Sequence, residues 1–264
     1  MRRVLPAVLA ASACAAPCTA ADTREVAREA LATHRAAIVT VKLTLKQRFI
    51  ADGRERNTSE SQLEIAGTLL TPEGLTVVSD VASNPAAMAT PAPGSNTRLD
   101  TETGAVEIAL PGGREVAARF VLRDSDLDLA FLMPVEPLEG LPHVELVEAP
   151  APRPLDELIF LFPLSKSLNR EIGVAIAEVR AVIEKPRTFV VTESFIGLQS
   201  LGCPAFDAGG RALGLVVMRR SPVQARPSGG FRDMFEFFNP VVLTAADVHG
   251  VAEQALAHAR GEGR

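Results

Sequence analysis

The sequence predicts an all-β protein built from two six-stranded antiparallel β-barrels, with a short N-terminal helix and a C-terminal helix. Two observations support this fold class. Each half of the chain holds about six apolar, β-branched segments that are joined by short, turn-like connections. A proline-rich segment, residues 135–155, separates the two halves. It is not expected to form a strand, because proline lacks the N–H group that strand pairing needs.

The composition is that of a globular protein with a sizeable core, since 47% of the 264 residues are hydrophobic and 22% are charged. A net charge of −5 gives no general attraction to nucleic acid or to an anionic membrane surface. Trp and Tyr are absent, so the aromatic platforms that stack single-stranded bases are missing. We therefore expect no nucleic-acid partner.

The N-terminus resembles a secretory signal peptide over residues 1–21. Two arginines precede the apolar run from Val4 to Ala16, and small residues allow cleavage after Ala20 or Ala21. The predicted localisation is therefore exported, either periplasmic or extracellular.

Processing as a lipoprotein at Cys14 is the alternative, but Ala11 stands where that signal usually has leucine, so we expect no lipid anchor. No other stretch reaches the roughly 18 apolar residues of a membrane span. Signal cleavage would leave Cys203 as the only cysteine, which excludes an intrachain disulfide.

The first half, residues 22–134, begins with a helix predicted over 23–36 from apolar residues at helical spacing. Residues 37–49 alternate apolar and polar side chains, which is typical of a strand with one wet face. A polar stretch follows to about Gln62. Residues 67–83 then predict a strand, a Pro-Glu-Gly turn and a second strand.

A Pro-, Ala- and Gly-rich stretch, residues 84–97, predicts a surface loop. Residues 105–133 predict a strand, a Pro-Gly-Gly turn, a second strand and a third that starts after Asp128. Asp124, Asp126 and Asp128 suggest calcium, but the glycine and distal glutamate of an EF-hand loop are missing. We predict no metal site.

The second half, residues 156–243, repeats the pattern of apolar segments between turns. The strands predicted here cover 156–163, 172–184, 187–193, 203–206, 212–218 and 238–243. Residues 244–264 predict the final helix, which starts with Thr244 and Asp247 in a pattern like a capping box. His249 and His258 are expected on the surface of this helix.

Three motifs resemble those of the trypsin-like serine proteases, and in particular of the Deg/HtrA branch. Residues 67–83 are similar to the hairpin that leads to the family's catalytic histidine, and the Asp-Leu-Ala-Phe-Leu segment from Asp128 is similar to the strand entry that carries its aspartate. Residues 199–218 are similar to the Gly-x-Ser-Gly-Gly-Pro turn and hairpin that carry its serine. The resemblance covers most of residues 35–260 and implies the two-barrel fold.

The same resemblance places Asp128 at the position of the triad aspartate, Ala82 at that of the histidine and Leu201 at that of the serine. Neither an alanine nor a leucine side chain can act as a base or a nucleophile. A structural role competes for Asp128 as well, because a carboxylate at a strand start can accept backbone N–H bonds without any catalysis.

Two other side chains are candidate nucleophiles. Ser200 lies one position before the family's serine and has no histidine to activate it. Cys203 lies two positions after it, and a buried cysteine that packs as a small hydrophobic residue is the favoured interpretation.

A binding surface is predicted after the last hairpin, in residues 218–238. Arg219 and Arg220 lie where relatives line the substrate groove, and Arg and aromatic residues anchor many interfaces. The aromatic residues of this segment are Phe231, Phe235, Phe237 and Phe238. The alternative is that the phenylalanines pack under the barrel and the arginines are only solvated.

Two functional hypotheses follow. The first is a secreted, catalytically inactive trypsin-like homologue that binds an extended peptide or a protein partner by strand addition. The alternative is an active serine endopeptidase of the Deg/HtrA type whose catalytic residues lie elsewhere. No cofactor is expected in either case. The apolar pattern of the last helix leaves only Arg260 to Arg264 beyond it, so we expect no PDZ domain.

Overall fold

The computed structural model describes residues 22–84, 97–193, 197–220 and 238–261. The strands of the first barrel are β1 (Ile38–Ala51), β2 (Arg54–Leu69), β3 (Thr76–Ser79), β4 (Thr97–Ala109), β5 (Glu115–Asp124) and β6 (Leu129–Pro134). The strands of the second are β7 (Glu157–Pro163), β8 (Ile172–Ile183), β9 (Phe189–Thr192), β10 (Pro204–Phe206), β11 (Ala212–Arg220) and β12 (Phe238–Thr244). The helices are α1 (Thr23–His34), α2 (Asp80–Ser83) and α3 (Ala245–Arg260).

Both barrels are closed and antiparallel, which confirms the predicted fold class. The strand order is β1-β2-β3-β6-β5-β4 in the first barrel and β10-β11-β12-β9-β8-β7 in the second. Alternation along β1 explains its place in the first core, because Val41, Leu43 and Leu45 are at most 1% exposed while Lys42 and Thr44 between them are partly exposed.

The polar segment before Gln62 is a strand, which its side chains do not indicate. Residues 54–62 of β2 are all exposed and pair along the outer half of β1, which in turn pairs with β4. Both faces of this ribbon are wet, so the alternation that marks a half-buried strand is missing. Hydrogen bonding to β1 holds the segment extended.

The hairpin at residues 67–83 has the predicted turn, in which Gly74 adopts a φ of +95°. Its second strand ends earlier than predicted, at Ser79, and one helical turn, α2, follows. The hydroxyl of Ser79 accepts a 3.0 Å hydrogen bond from the N–H of Ala82 and so caps this turn. Most of the predicted loop 84–97 lies outside the described residues.

The connection between the barrels runs across both of them. The N–H of Val144 donates to the carbonyl of Leu69 in the first barrel, and the N–H of Val147 donates to that of Ala212 in the second, each at 2.8 Å. His249 of α3 packs on this connection, with Nε2 3.1 Å from the carbonyl oxygen of Leu146. It is therefore less exposed than the sequence predicts.

The two longer helices, α1 and α3, have 12 and 16 residues. Among the described residues, no helix has both the length and the apolar character needed to cross a bilayer.

The two barrels are in close contact at Gly202. This glycine has a φ of +81°, and a β-carbon added to it would lie 3.0 Å from the α-carbon of Val78 and 3.1 Å from the amide nitrogen of Ser79. Its carbonyl accepts a 2.7 Å hydrogen bond from the hydroxyl of Thr68. A side chain at this position would force the barrels apart.

We predict that Gly202→Ala lowers the free energy of unfolding by more than about 1 kcal/mol, as measured by urea denaturation. Gly112→Ala is the matched control, because Gly112 has a φ of +84° but a β-carbon added to it would have no atom within 4 Å. Both variants carry the cost of the left-handed backbone, so the difference between them reports the barrel contact. Equal losses in the two variants would contradict the assignment.

Candidate functional site

Asp128 lies between the barrels, at the end of the turn that joins β5 to β6. The carboxylate of Asp124 shapes this turn by accepting hydrogen bonds from the N–H groups of Asp126 and Leu127, at 3.0 and 2.9 Å. Asp128 itself adopts a φ of +58°, a conformation that aspartate tolerates better than most residues. The turn thereby directs Asp128 inward, where it is 1% exposed.

Both oxygens of the Asp128 carboxylate are occupied by donors. The N–H of Val81 donates to Oδ1 at 2.7 Å, and the N–H of Met218 donates to Oδ2 at 2.6 Å. The hydroxyl of Ser79 lies 2.9 and 2.8 Å from the two oxygens. Val81 and Ser79 belong to the first barrel and Met218 to the second, so Asp128 links the two.

Burial raises the pKa of Asp128 to about 6, because an ionised carboxylate loses its hydration there. The hydrogen bonds from Val81, Met218 and Ser79 act in the opposite direction, and the nearby charge of Asp80 adds to the rise. Asp80 also has partners of its own. Its carboxylate forms an ion pair with Arg123 at 2.6 Å and accepts a hydrogen bond from the hydroxyl of Ser125 at 2.8 Å.

The network around Asp80 fixes α2, which carries Ala82. Arg123 bridges Asp80 to the hydroxyl of Ser83, 2.8 Å away, and its guanidinium lies 3.7 Å above the ring of Phe120. Both ends of the short helix are therefore tied to the first barrel. The position that the resemblance gives to the catalytic histidine is therefore fixed by these contacts, but the side chain of Ala82 is only a methyl group.

Leu201 lies on the other side of the cleft and is 2% exposed. It belongs to an apolar cluster that includes Val81 and Met218, with Ala82 packed against the cluster. Ala82 and Leu201 also line one cavity. The structure thus brings together the positions predicted for the base and the nucleophile. The side chains there, Ala82 and Leu201, are both apolar.

Neither of the other candidate nucleophiles is activated. The hydroxyl of Ser200 is buried and has no hydrogen-bond partner among the described residues. Cys203 is fully buried, as predicted, and burial raises the pKa of its thiol, so that it stays protonated at neutral pH. The chain's four histidines all lie in described segments, and none of them hydrogen-bonds Asp128.

The cavity beside Ala82 and Leu201 has a volume of about 650 Å³. Its walls come from β1, β2 and α2 of the first barrel, from the β7–β8 turn of the second barrel and from the segment before β10. The lining residues are Thr40, Gln62, Leu63, Glu64, Ile65, Ala66, Val81, Ala82, Pro163, Leu164, Ser165, Lys166, Arg170, Gln199 and Leu201. Most of this surface is apolar.

Two of the lining residues, Glu64 and Arg170, form an ion pair that the sequence analysis did not predict. Arg170 donates from Nε to Oε2 of Glu64 at 2.7 Å and from Nη2 to Oε1 at 2.6 Å. The Arg170 hydrogen bond holds the pKa of Glu64 below its ordinary value. The partners are 106 positions apart, so no local sequence signal could have joined them.

The predicted binding residues lie at the end of β11. The guanidinium of Arg219 is 4.8 Å from the centre of the Phe189 ring. The described part of Arg220 is its backbone, which continues β11 opposite Phe238. Phe231, Phe235 and Phe237 lie outside the described residues, so the structure does not place the rest of the predicted surface.

Metal ligands are not brought together in the described part of the chain. Residues 22–84, 97–193, 197–220 and 238–261 contain no cluster of three or more His, Cys, Asp or Glu side chains that could hold an ion.

We predict that lowering the pH from 7 to 4 raises the stability of the wild type relative to Asp128→Asn by about 2 kcal/mol. Because the folded-state pKa of Asp128 is raised to about 6, the folded state binds more protons than the unfolded state between its ordinary pKa and that value. Its contribution to stability therefore falls as the pH rises through this window. Urea denaturation of both proteins at each pH gives the difference, and a difference that grows with pH would contradict the assignment.

Comparison with known proteins places the fold. No sequence profile of a protein family matches the chain, and neither does any curated protein sequence. A serine-to-alanine variant of the HtrA-type protease AlgW with a decapeptide matches with a TM-score of 0.59 and 16% identity, over 88% of this chain and 67% of that one. The same variant with a tripeptide matches with a TM-score of 0.58 and 17% identity, over 88% and 64%.

AlgW itself with a decapeptide gives a TM-score of 0.57 and 15% identity, over 88% of this chain and 68% of that one. The chain thus spans about two thirds of the length of these structures. Similarity at this level of identity concerns the fold. The chain has the trypsin-like fold of two six-stranded barrels that the HtrA-type protease AlgW also has.

Proposed function

We propose that the protein is an exported trypsin-like protease homologue without peptidase activity, and that it binds an extended peptide or protein segment between its barrels. The observation that carries this proposal is the apolar filling of the site by Ala82 and Leu201, next to a buried carboxylate whose two oxygens both accept hydrogen bonds. Export rests on the signal-like residues 1–21, which lie outside the described residues.

The absence of catalysis follows from the chemistry of the side chains. Peptide hydrolysis by the triad needs a hydroxyl that attacks and an imidazole that accepts its proton. Loss of the serine or the histidine costs on the order of a millionfold in rate, which is about 8 kcal/mol of transition-state stabilisation. Leu201 and Ala82 would each impose this loss. Asp128 cannot act as a base toward water either, because Ser79, Val81 and Met218 surround its carboxylate.

The binding role is supported by the free edge of β11. In an antiparallel strand, alternate residues direct their N–H and C=O groups to opposite sides. The N–H groups of Val216 and Met218 point away from β12, toward Cys203 and Asp128. Arg220 therefore presents its backbone on that same side, where it pairs with no described strand. A peptide could add there, next to the Arg219–Phe189 contact.

The choice of a peptide ligand is supported by structures of similar fold, since the HtrA-type protease AlgW has structures with a decapeptide and with a tripeptide. A shared fold makes a peptide ligand a reasonable choice for this chain as well.

We predict that the purified protein does not hydrolyse casein or a mixture of fluorogenic peptides above the rate of the buffer. Asp128→Ala is assayed beside it as the control for the alternative function. Turnover by the wild type that disappears in Asp128→Ala would overturn the proposal and favour an active peptidase.

We also predict that Arg219→Ala/Arg220→Ala weakens binding to an immobilised peptide library by about tenfold, the loss expected for a charged anchor residue. Arg114→Ala/Arg153→Ala is the matched control, because both of these arginines are exposed and lie on other parts of the surface, so that the net charge changes equally. Binding that is unchanged in the first variant, or reduced equally in both, would sink the assignment of Arg219 and Arg220.

A further inference from the structure

The chemistry of the cavity between β2, α2 and the β7–β8 turn indicates a class of partner. We infer that this cavity takes an apolar side chain of the bound segment, and that Lys166 and Arg170 hold an acidic side chain next to it. This inference rests on the peptide-binding role proposed above. The partner is thus an extended segment in which an apolar residue is adjacent to a carboxylate.

The floor of the cavity fits an apolar side chain. Leu164 of the β7–β8 turn and Ala82 of α2 line the cavity and are partly exposed, and the buried residues Ala66 and Leu201 line it as well. A volume of about 650 Å³ lies within the range of pockets that bind ligands. Filling it would remove apolar surface from water, which is favourable.

The free edge of β2 favours a polypeptide as the occupant. Beyond its pairing with β1, this strand pairs among the described residues only with β3, through Thr68 and Leu69. Leu63 to Ala66 therefore have backbone groups with no neighbouring described strand, and they lie on the wall of the cavity. An extended segment can use both the backbone edge and the apolar floor.

The rim carries an excess of positive charge. Lys166 and Arg170 face Glu64, which accepts two hydrogen bonds from Arg170. Lys166 is exposed and forms no ion pair with a described residue, and the nearby Lys42 is paired with Glu115. One carboxylate thus balances two cations at the cavity, which leaves a place for a second carboxylate from a partner.

The backbone of the β7–β8 turn holds Arg170 at this rim. Asn169 and Arg170 both adopt left-handed conformations, with φ of 56° and 54°. The turn is closed by hydrogen bonds of its own, from the N–H of Arg170 to Ser165 and from that of Leu164 to Glu171. Consecutive left-handed residues other than glycine are unfavourable, and such conformations concentrate at binding sites.

Fluorescence anisotropy tests this inference by measuring the affinity of the protein for an array of ten-residue peptides. Each peptide has one leucine, which is followed by Glu, Gln or Lys. The Glu peptides are expected to bind about tenfold more tightly than their Gln isosteres, because a charge-assisted hydrogen bond replaces a neutral one. Lys166→Glu is expected to abolish this preference and Lys166→Ala to reduce it. Lys46→Glu, the same charge change on the exposed part of β1, is expected to keep it.

The outcomes distinguish failure of the inference alone from failure of the proposed function. Equal binding of Glu and Gln peptides by the wild type would overturn the inference and leave peptide binding standing. If the Lys166→Glu variant still prefers the Glu peptides, the placement of the acidic side chain beside Lys166 would be wrong. If no peptide binds but dodecanoate does, measured by calorimetry, the cavity takes a free carboxylate lipid, and both the inference and the peptide-binding role fail.

Discussion

The structure depends on one buried carboxylate. Asp128 of the first barrel receives hydrogen bonds from Ser79 and Val81 on its own side and from Met218 on the other. Aspartate is the smallest side chain that offers two acceptor oxygens, so it can satisfy N–H groups that approach from opposite directions. Without it, backbone donors on both sides of the interface would be buried without partners, which is costly.

The close packing at this interface also explains the burial of Leu201. Gly202 brings the backbone of the second barrel against Val78 and Ser79, and Leu201 then packs on Val81. A residue at a catalytic position of a protease-like fold can therefore serve the packing of the barrels. The open space lies beside these residues, in the cavity that Leu164, Lys166 and Arg170 also line.

Much of the fold was predictable from local patterns, because alternation in β1 and the Pro-Glu-Gly turn before β3 are imposed within a few residues. The outer part of β2 was not, since a strand that is wet on both faces has no period to detect. Asp128, Ala82 and Leu201 could be placed from motifs. The partners of Asp128 could not, because a backbone N–H such as that of Met218, 90 positions away, leaves no mark on residue type. The Glu64–Arg170 ion pair could not be predicted either, because its partners are 106 positions apart in the sequence.

The claim that the site holds no activated nucleophile is tested most directly by covalent labelling. The native protein is incubated with a fluorophosphonate, which reacts with serines that a base has activated, and its intact mass is compared with that of a heat-denatured control and of active trypsin. We expect trypsin to be labelled stoichiometrically and this protein to show no adduct in either state. A stoichiometric adduct that forms only on the native protein, at Ser200 or at any other serine, would contradict the account.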